Sequence, residues 1–466
     1  MNIGLINPNK EIKEPAIHLG LGYLTSYVIQ QDNNINFEIL DTRVATKKER
    51  DHFFSQPFDL IGITASSQVF EEALELGEEI KAEKPHVPLI IGGSHASTVK
   101  EEILQDTPFD YAAYGEGEIT FWEFIQYIKN PLNIEAIDGL IYKDKEGNIH
   151  RNNPRVIISD IDTIPFPAFH LFPMERYPQH RMITSRGCPH ECVFCNSRSI
   201  WTNKWRRRSA ENIIEEIQYL VDNFSLKSFV FNDDSFNIDL KRVEKVCDYM
   251  IDKKMGIIWT TSIRADRVTP VIAEKMKKAG CYNVSIGIES ANNEMLEKIR
   301  KHTTKEKIYE GIQILRKAGL DVMGQFMIGN PGDTLETIKE SIEFAKTSNL
   351  TGVEFYTALP YKDSILYDFV QAHGTMLTDK PSYEFHKVNP RIVFETPEFT
   401  YDQRMEAINI AISNGYYHAL STDHKSFMLD FGKGAAKKIQ KILGPSLGNK
   451  LYLFFRESYH KLFIKK

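Results

Sequence analysis

Three cysteines, Cys188, Cys192 and Cys195, lie in one short stretch of the chain with the spacing Cys-x3-Cys-x2-Cys. Thiolates this close together on one loop are suited to metal binding, and each iron of a [4Fe–4S] cluster is normally bound by one cysteine thiolate. Three cysteines leave the fourth iron of such a cluster without a protein ligand. The spacing therefore predicts a cluster with one iron open to a small bidentate molecule.

A zinc site or a disulfide framework would account for the cysteines less well. Structural zinc sites usually close with four ligands, which are often two cysteine pairs, but the remaining cysteines, Cys247 and Cys281, stand alone in the sequence. A chain of 466 residues with five cysteines is also not expected to depend on a disulfide framework. We interpret Cys247 and Cys281 as ordinary core residues.

The composition indicates a globular protein, with 42% hydrophobic residues and a net charge of −6, and it does not favour nucleic-acid binding. The N-terminus lacks a signal-peptide pattern, and the sequence has no apolar run of the ~18 residues that a membrane span needs. A cytoplasmic location is therefore expected. The lysine-rich residues 432–466 are typical either of peripheral membrane contact or of a helix that caps a domain.

Residues 1–130 alternate short apolar runs with helical segments. Strands are predicted at residues 3–7, 37–41, 60–64, 89–92 and 111–114, with helices such as 21–31 and 70–84 between them. This alternation predicts a parallel, doubly wound, flavodoxin-like sheet. Ligands of such sheets bind outside the carboxyl ends of the strands, where this chain has small or polar residues that leave space for a bulky ligand.

The cysteine loop and the motifs around it resemble the branch of the radical S-adenosylmethionine (SAM) superfamily that carries a cobalamin-binding domain. Gly-Gly-x-His after the fourth predicted strand and Gly-Glu-Gly-Glu after the fifth are similar to that domain. The resemblance implies a set of cobalamin contacts: Ser66, Gly92, Gly93, His95, Gly115 and Glu116. The chain lacks the run Asp-x-His-x-x-Gly, so the cobalt is expected to have no lower histidine ligand.

After a predicted linker with a hairpin at residues 131–180, the alternation of strands and helices resumes. The six strands predicted at residues 182–185, 228–232, 257–262, 283–288, 322–328 and 353–358 resemble the partial (β/α)6 barrel of the superfamily, assigned here to residues 181–370. The active site of such a barrel lies at the carboxyl ends of its strands. Residues 371–466 are predicted to form a helical region that sets substrate specificity.

The resemblance also implies contacts with the methionine part of SAM. Asp233 or Asp234, after the second barrel strand, is the candidate for the amino group, because a carboxylate accepts strong hydrogen bonds from an ammonium. Arg264, after the third strand, is the candidate for the carboxylate. A plain ion pair explains this arginine equally well.

The adenosine part of SAM has four implied contacts. Phe194, beside the last cysteine, fits the aromatic residue that lies against adenine, although it could be an ordinary core residue. Glu289, in Gly-Ile-Glu-Ser, would accept hydrogen bonds from the ribose hydroxyls. Ile328 and Gly329 fit the backbone stretch that lies along adenine.

Two features near the C-terminus are ambiguous. Residues 359–364 read Leu-Pro-Tyr-Lys-Asp-Ser, where relatives often have Pro-x-Pro-Gly-Thr; the change indicates either substrate recognition or neutral variation of a loop. Tyr416, Tyr417 and His418 are candidates for an acid, a base or a hydrogen-atom donor. Amphipathic packing would explain the same three residues.

The function that the resemblance implies is a cobalamin-dependent radical SAM methyltransferase. It would methylate an unactivated carbon, or phosphorus, of a small molecule or natural product through a 5′-deoxyadenosyl radical, and an external one-electron reductant such as flavodoxin or ferredoxin would serve it. One alternative is a radical SAM oxidoreductase or cyclase that transfers no methyl group. An alternative from another class is a non-catalytic corrinoid carrier or sensor, which would not need three cluster ligands.

Overall fold

Two large sheets flanked by helices dominate the computed structural model, which describes residues 1–9, 15–131, 133–202, 204–379 and 391–416. The first sheet consists of β1 (Asn2–Asn7), β2 (Asn36–Asp41), β3 (Leu60–Thr64), β4 (Leu89–Gly92), β5 (Tyr111–Ala113), β6 (Leu140–Lys143) and β7 (Ile149–Arg151). Their order is β2-β1-β3-β4-β5-β6-β7. The strands β1 to β5 are parallel to their neighbours, as the alternating pattern predicts.

Helices cover both faces of this sheet because its strands are apolar on both sides. These helices are α1 (Leu19–Gln31), α2 (Lys47–Ser55), α3 (Phe70–Glu83), α4 (Ser94–Val99) and α5 (Glu118–Lys129). On β4, Ile90 packs in the same hydrophobic cluster as residues of α1 and α5. Its neighbour Ile91 packs with residues of α2 and α3. Successive side chains therefore serve opposite layers, as the period of a strand requires.

The hairpin of the predicted linker belongs to the first sheet. β6 pairs antiparallel with β5, and β7 pairs antiparallel with β6. Farther along the linker, Ile164, Phe169 and Phe172 are buried in the hydrophobic cluster that also contains residues of the second sheet. This segment thus contributes apolar core between the two sheets.

The second sheet is an open barrel of six parallel strands. The remaining strands are β8 (His180–Met182), β9 (Ser185–Arg186), β10 (Arg206–Arg207), β11 (Ser228–Phe231), β12 (Ile258–Ile263), β13 (Cys281–Glu289), β14 (Asp321–Ile328), β15 (Gly352–Thr357), β16 (Thr375–Met376) and β17 (Phe394–Glu395). The barrel has the order β15-β14-β13-β12-β11-β8, while β9 pairs with β10 and β16 with β17. All its neighbouring strands are parallel.

Helices connect the strands of the barrel and flank the sheet. They are α6 (Ser197–Trp201), α7 (Ala210–Phe224), α8 (Leu240–Asp252), α9 (Pro270–Lys278), α10 (Asn293–Lys298), α11 (Lys305–Lys317), α12 (Leu335–Thr347), α13 (Ile365–His373) and α14 (Tyr401–Ser413). The start of α7 is capped by Ser209, whose hydroxyl accepts from the Asn212 N–H. Ile213, Ile217 and Leu220 then face the core at helical spacing.

The helices of the described residues differ in length and polarity from membrane-spanning helices. Among the described residues, no helix combines the length and the apolar character needed to cross a membrane. Residues 432–466, for which peripheral membrane contact is one interpretation, lie outside the described residues.

Candidate active site

The cysteine loop lies between β9 and α6, at the carboxyl end of the barrel sheet. Gly187 precedes it with φ +81°, and a Cβ at this position would lie 2.5 Å from the Lys204 carbonyl oxygen, so a side chain is excluded. Within the loop, the Val193 N–H donates to Ile299 O at 3.1 Å, and the Leu366 N–H donates to Val193 O at 2.9 Å. The loop is therefore held by backbone contacts to the segments that follow α10 and begin α13.

The three loop cysteines line one small cavity together, and each is half-buried and free of disulfide bonds. Burial raises their thiol pKa values, that of Cys195 to about 12, so the positive charge of bound iron has to favour the thiolates. In the described part of the chain, no group of three or more His, Cys, Asp or Glu side chains is arranged around a single metal ion. A cluster does not require this, since each cysteine binds a different iron. The donor set fits a three-cysteine cluster.

The two aspartates after β11 have different surroundings. Asp233 is buried and accepts hydrogen bonds from the Thr184 N–H at 2.6 Å and the Ser185 N–H at 3.1 Å. It also faces Arg242 at 3.7 Å. Asp234 is exposed and accepts from the Ser197 hydroxyl at 2.7 Å. Asp233 thus orders the chain that leads into the cysteine loop, and Asp234 is the one whose carboxylate is accessible beside it.

Arg264 and Glu289 each have a charged partner. Arg264 donates to both carboxylate oxygens of Asp266 at 2.9 and 2.7 Å and to Lys301 O at 2.9 Å. Glu289 has φ +65°, follows an irregularity in the pairing of β13 with β14, and binds the Lys301 ammonium at 2.9 Å. Although burial opposes it, the charges of Glu289 and Cys192 raise the pKa of Lys301. This lysine links the cysteine loop to the implied ribose contact.

The implied adenine contacts lie in an apolar environment. Phe194 is half-buried against a cluster that includes Ala358 and Leu366. Ile328 is fully buried, and the Gly329 N–H donates to Asp333 at 3.0 Å. A Cβ on Gly329 would lie 2.2 Å from an Arg404 nitrogen, so α14 reaches this strand end. Burial raises the pKa of Asp333 to about 6.

A cavity of about 250 Å³ lies at the carboxyl edge of the first sheet. Of the implied cobalamin contacts, it is lined by Gly92, Gly93, Gly115 and Glu116. Its volume is below the range of about 300–1,000 Å³ of pockets for drug-sized ligands, so it encloses part of a cobalamin at most. The lining is glycine-rich and largely apolar, which suits the close approach of a bulky ligand.

Ser66 and His95 are not among the lining residues of this cavity. The His95 ring is buried, its Nδ1 lies 2.9 Å from the Ser67 hydroxyl, and it packs on Phe70 with ring centroids 4.2 Å apart. Gly93, with φ +99°, turns the chain from β4 into α4, and the turn carries His95 into the layer of α3. The structure therefore places these two residues apart from the four that share the cavity.

Four buried charges join the cavity to the cysteine loop. Arg186, two residues before Cys188, binds Glu116 at 2.8 Å and Glu118 at 2.5 Å. Arg206 binds the same Glu116 at 2.8 Å. Sequence reasoning missed this network, because each acid and base is separated by many residues and each alone is consistent with an exposed charge. The one available signal is Arg186 directly before the loop.

The charged loop after β15 also contacts the first sheet's helices. Lys362 pairs with Glu102, and Asp363 pairs with Lys100. On the other side of the cysteine loop, the Asn196 side-chain amide donates to the Thr98 hydroxyl at 2.8 Å. The two charges of this loop therefore contact the segment that follows α4.

Tyr416 lies on the helix-facing side of β15. The Phe355 N–H donates to Tyr416 O at 2.7 Å, and the two rings stack with centroids 6.2 Å apart. Tyr417 and His418 lie outside the described residues. The structure thus separates Tyr416 from the inner face of the barrel.

Two family models match the chain: the B12 binding domain over residues 10–125 and the radical SAM superfamily over residues 182–345. A protein of Pyrococcus horikoshii with the name "Uncharacterized methyltransferase PH0819" is 32% identical over 374 residues, which are 77% of this chain and 80% of that protein. This chain belongs to the cobalamin-dependent radical SAM methyltransferase family.

Further similarities agree with the family. The cytidylyl-2-hydroxyethylphosphonate methyltransferase of Streptomyces wedmorensis is 26% identical over 325 residues, 60% of either chain. The solved structure of the radical SAM methyltransferase TsrM from Kitasatospora setae, with cobalamin and a [4Fe–4S] cluster bound, gives a TM-score of 0.68 at 19% identity over 80% of this chain and 78% of that one. At this identity the likeness concerns the fold, and the predicted fold class is confirmed. The cofactors of the family, a [4Fe–4S] cluster, SAM and cobalamin, are those predicted.

Proposed function

We propose that this protein methylates an unactivated carbon, or phosphorus, of a small molecule. The observation that carries the proposal is the shared wall between the two cofactor sites: Ile183, Arg186, Ile200 and Trp201, which flank the cysteine loop, also line the cavity of the first sheet. When bound, the cluster with SAM supplies a 5′-deoxyadenosyl radical and cobalamin supplies the methyl group. The names of the two relatives, both methyltransferases, support this reaction.

In this proposal the residues of the chain bind and orient. Cys188, Cys192 and Cys195 hold three irons, and Asp234, whose carboxylate is accessible beside the loop, accepts from the SAM ammonium. Glu289, held in place by Lys301, accepts from the ribose hydroxyls.

Gly92, Gly93, Gly115 and the backbone of Glu116 form the wall against cobalamin. Phe194, Ile328 and Gly329 supply the apolar surface for adenine.

Two of the implied contacts with the methionine part of SAM, Asp233 and Arg264, already have partners within the protein. The Asp233 carboxylate already accepts hydrogen bonds from two backbone N–H groups and lies beside the Arg242 guanidinium. It is therefore not free to accept from the SAM ammonium. Arg264 forms a bidentate ion pair with Asp266. In this proposal it binds the SAM carboxylate only if that ion pair breaks. We therefore assign Asp234 the contact with SAM, and Asp233 the ordering of the loop.

Four further expectations accompany the proposal. A flavodoxin or ferredoxin is the external one-electron donor, and a reducing, cytoplasmic setting suits the cluster. Contact of residues 432–466 with a membrane surface and the domain divisions at residues 130, 180 and 370 also remain expectations.

The test is anaerobic reconstitution with iron and sulfide, followed by hydroxocobalamin, a reductant and SAM with a deuterated methyl group. We expect 5′-deoxyadenosine, S-adenosylhomocysteine and bound cobalamin carrying the labelled methyl group. Absence of 5′-deoxyadenosine would refute the radical reaction, and corrin binding without SAM cleavage would favour the carrier. Cleavage with no labelled methyl group on cobalamin would favour the oxidoreductase or cyclase.

A further inference from the structure

The inner face of the barrel is defined by the packing of its last two strands. Phe326 of β14 and Phe355 of β15 stack with ring centroids 4.7 Å apart, and Phe326 contacts Phe344 of α12 at 6.4 Å. These rings therefore face the helices. Because successive side chains of a strand alternate between faces, Glu354 and Tyr356 face the interior of the barrel.

Three neighbouring strands place a row of positions on this inner face. In the register, Gly287 is opposite Gln325, and Gln325 is opposite Glu354. A Cβ on Gly287 would lie 2.4 Å from Glu289 Oε1 and 3.0 Å from Lys301 Nζ. The absent side chain thus makes room for the Glu289–Lys301 pair, directly beside Gln325.

Of the two carboxylates in this row, Glu289 has a cationic partner in the protein and Glu354 has none among the described residues. Glu289 has Lys301 at 2.9 Å, whereas no lysine, arginine or histidine of the described residues forms an ion pair with Glu354. The Tyr356 hydroxyl donates to Glu354. Burial and this hydrogen bond raise the pKa of Tyr356, so the hydroxyl stays a donor at neutral pH and fixes one carboxylate oxygen. The other oxygen remains an acceptor.

We propose that Glu354, Tyr356 and Gln325 form the substrate-recognition patch of the barrel and that this patch binds a protonated amine. A half-buried carboxylate without a cationic partner is costly, and an ammonium that donates to it forms a charge-assisted hydrogen bond. The patch adjoins Glu289, the proposed ribose contact, so an amine held there brings the neighbouring carbons of the substrate close to the bound adenosyl group. This inference rests on the proposed function.

The experiment measures binding to the reconstituted enzyme with cobalamin and SAM, by calorimetry. The probes are matched pairs, tryptamine with N-acetyltryptamine and n-butylamine with n-butanol. We expect the amine of at least one pair to bind about tenfold or more tightly than its neutral partner, as a hydrogen bond to a charged group allows. Equal binding within both pairs, or no heat from any amine at millimolar concentrations, would overturn the proposal.

Variants connect the preference to the patch. Glu354→Gln keeps the shape and should abolish the preference, Glu354→Asp should keep its direction, and Tyr356→Phe should reduce it several-fold. The matched control is Glu343→Gln on the exposed face of α12, which should leave the preference unchanged. A preference that survives both Glu354→Gln and Tyr356→Phe would overturn the proposal.

Failure of this inference is distinguishable from failure of the proposed function. If SAM is cleaved and cobalamin is methylated while amines show no preference, the substrate class is wrong and the function stands. If SAM is not cleaved, the function fails, and the calorimetric preference for amines still reports on the patch.

Discussion

Replacement of Glu116 by glutamine tests whether buried charges fix the cavity of the first sheet against the cysteine loop. Glu116 is 4% exposed and accepts from Arg186, from Arg206 and from the Ile158 N–H at 2.8 Å. Glutamine keeps the size of the side chain and one acceptor oxygen. It removes the charge that two buried guanidinium groups share.

The expected loss of unfolding free energy depends on which buried charges keep an ionic partner in the variant. Removal of one partner of a buried ion pair costs about 3–5 kcal/mol, because the other charge stays buried without compensation. In Glu116→Gln, Arg186 still has Glu118, but Arg206 loses its ionic partner, so we expect about 3 kcal/mol. The matched control, Glu102→Gln, removes the exposed pair with Lys362 and should cost about 0–1 kcal/mol.

The assay is urea unfolding of the protein without cofactors, followed by circular dichroism, together with equilibrium binding of hydroxocobalamin. Combining Glu116→Gln with Arg206→Met removes the uncompensated charge, so the double variant should recover part of the loss. A cost for Glu116→Gln no larger than that for Glu102→Gln would refute the reasoning. So would a double variant whose cost is the sum of the two single costs, since residues in one network are not additive.

Three more predictions concern the barrel. Replacing Cys192 by alanine should abolish cluster loading and SAM cleavage, whereas Cys247→Ala in the core should retain the iron; iron and sulfide analysis checks both. The raised pKa of Asp333, about 6 against an ordinary 3.8, makes the folded state bind its proton more tightly, so its contribution to stability is present below about pH 4 and lost as the pH rises through about 6. Asp333→Asn should flatten this part of the stability profile in urea titrations, and an unchanged slope would contradict it. Gly287→Ala should cost about 1–3 kcal/mol of stability by overpacking and weaken SAM binding, because the new methyl group displaces the Glu289–Lys301 pair; unaltered SAM affinity by equilibrium dialysis would contradict the placement.

Most of the parallel strands were predictable because buried parallel strands are short, continuous apolar runs between turn signals. The first barrel strand was predicted at residues 182–185, but β8 occupies His180–Met182. β3 occupies residues 60–64 as predicted. β13 is longer than the predicted 283–288 and runs over Cys281–Glu289. Its ends were not predicted because polar residues alternate with apolar ones along this strand. The three cluster cysteines could be predicted because they lie within eight consecutive residues of the sequence. The cofactor roles of individual residues and the domain divisions stay predictions.

Side-chain direction and long-range pairing were not predictable. The Gly-Gly-x-His pattern places His95 at a strand end, yet the turn at Gly93 into α4 carries the His95 ring onto Phe70. Glu116 and Arg186 are 70 residues apart in the chain, so no spacing rule links them. Tyr356 reads as one more aromatic residue of an apolar strand until the stacking of Phe355 on the opposite face shows that it points inward.

The junction between the cysteine loop and the cavity of the first sheet therefore contains two kinds of charge contact with different consequences. The pairs of Glu116 and Glu118 with the arginines are almost fully buried, and separating them costs several kcal/mol. The Lys362–Glu102 and Asp363–Lys100 pairs are 29–49% exposed, so each contributes about 0–1 kcal/mol and is weakened by salt. Because the strong contacts lie beside the cysteine loop, we expect them to fix this loop against the cavity of the first sheet. We therefore expect substitutions in the loop after β15 to leave that placement unchanged.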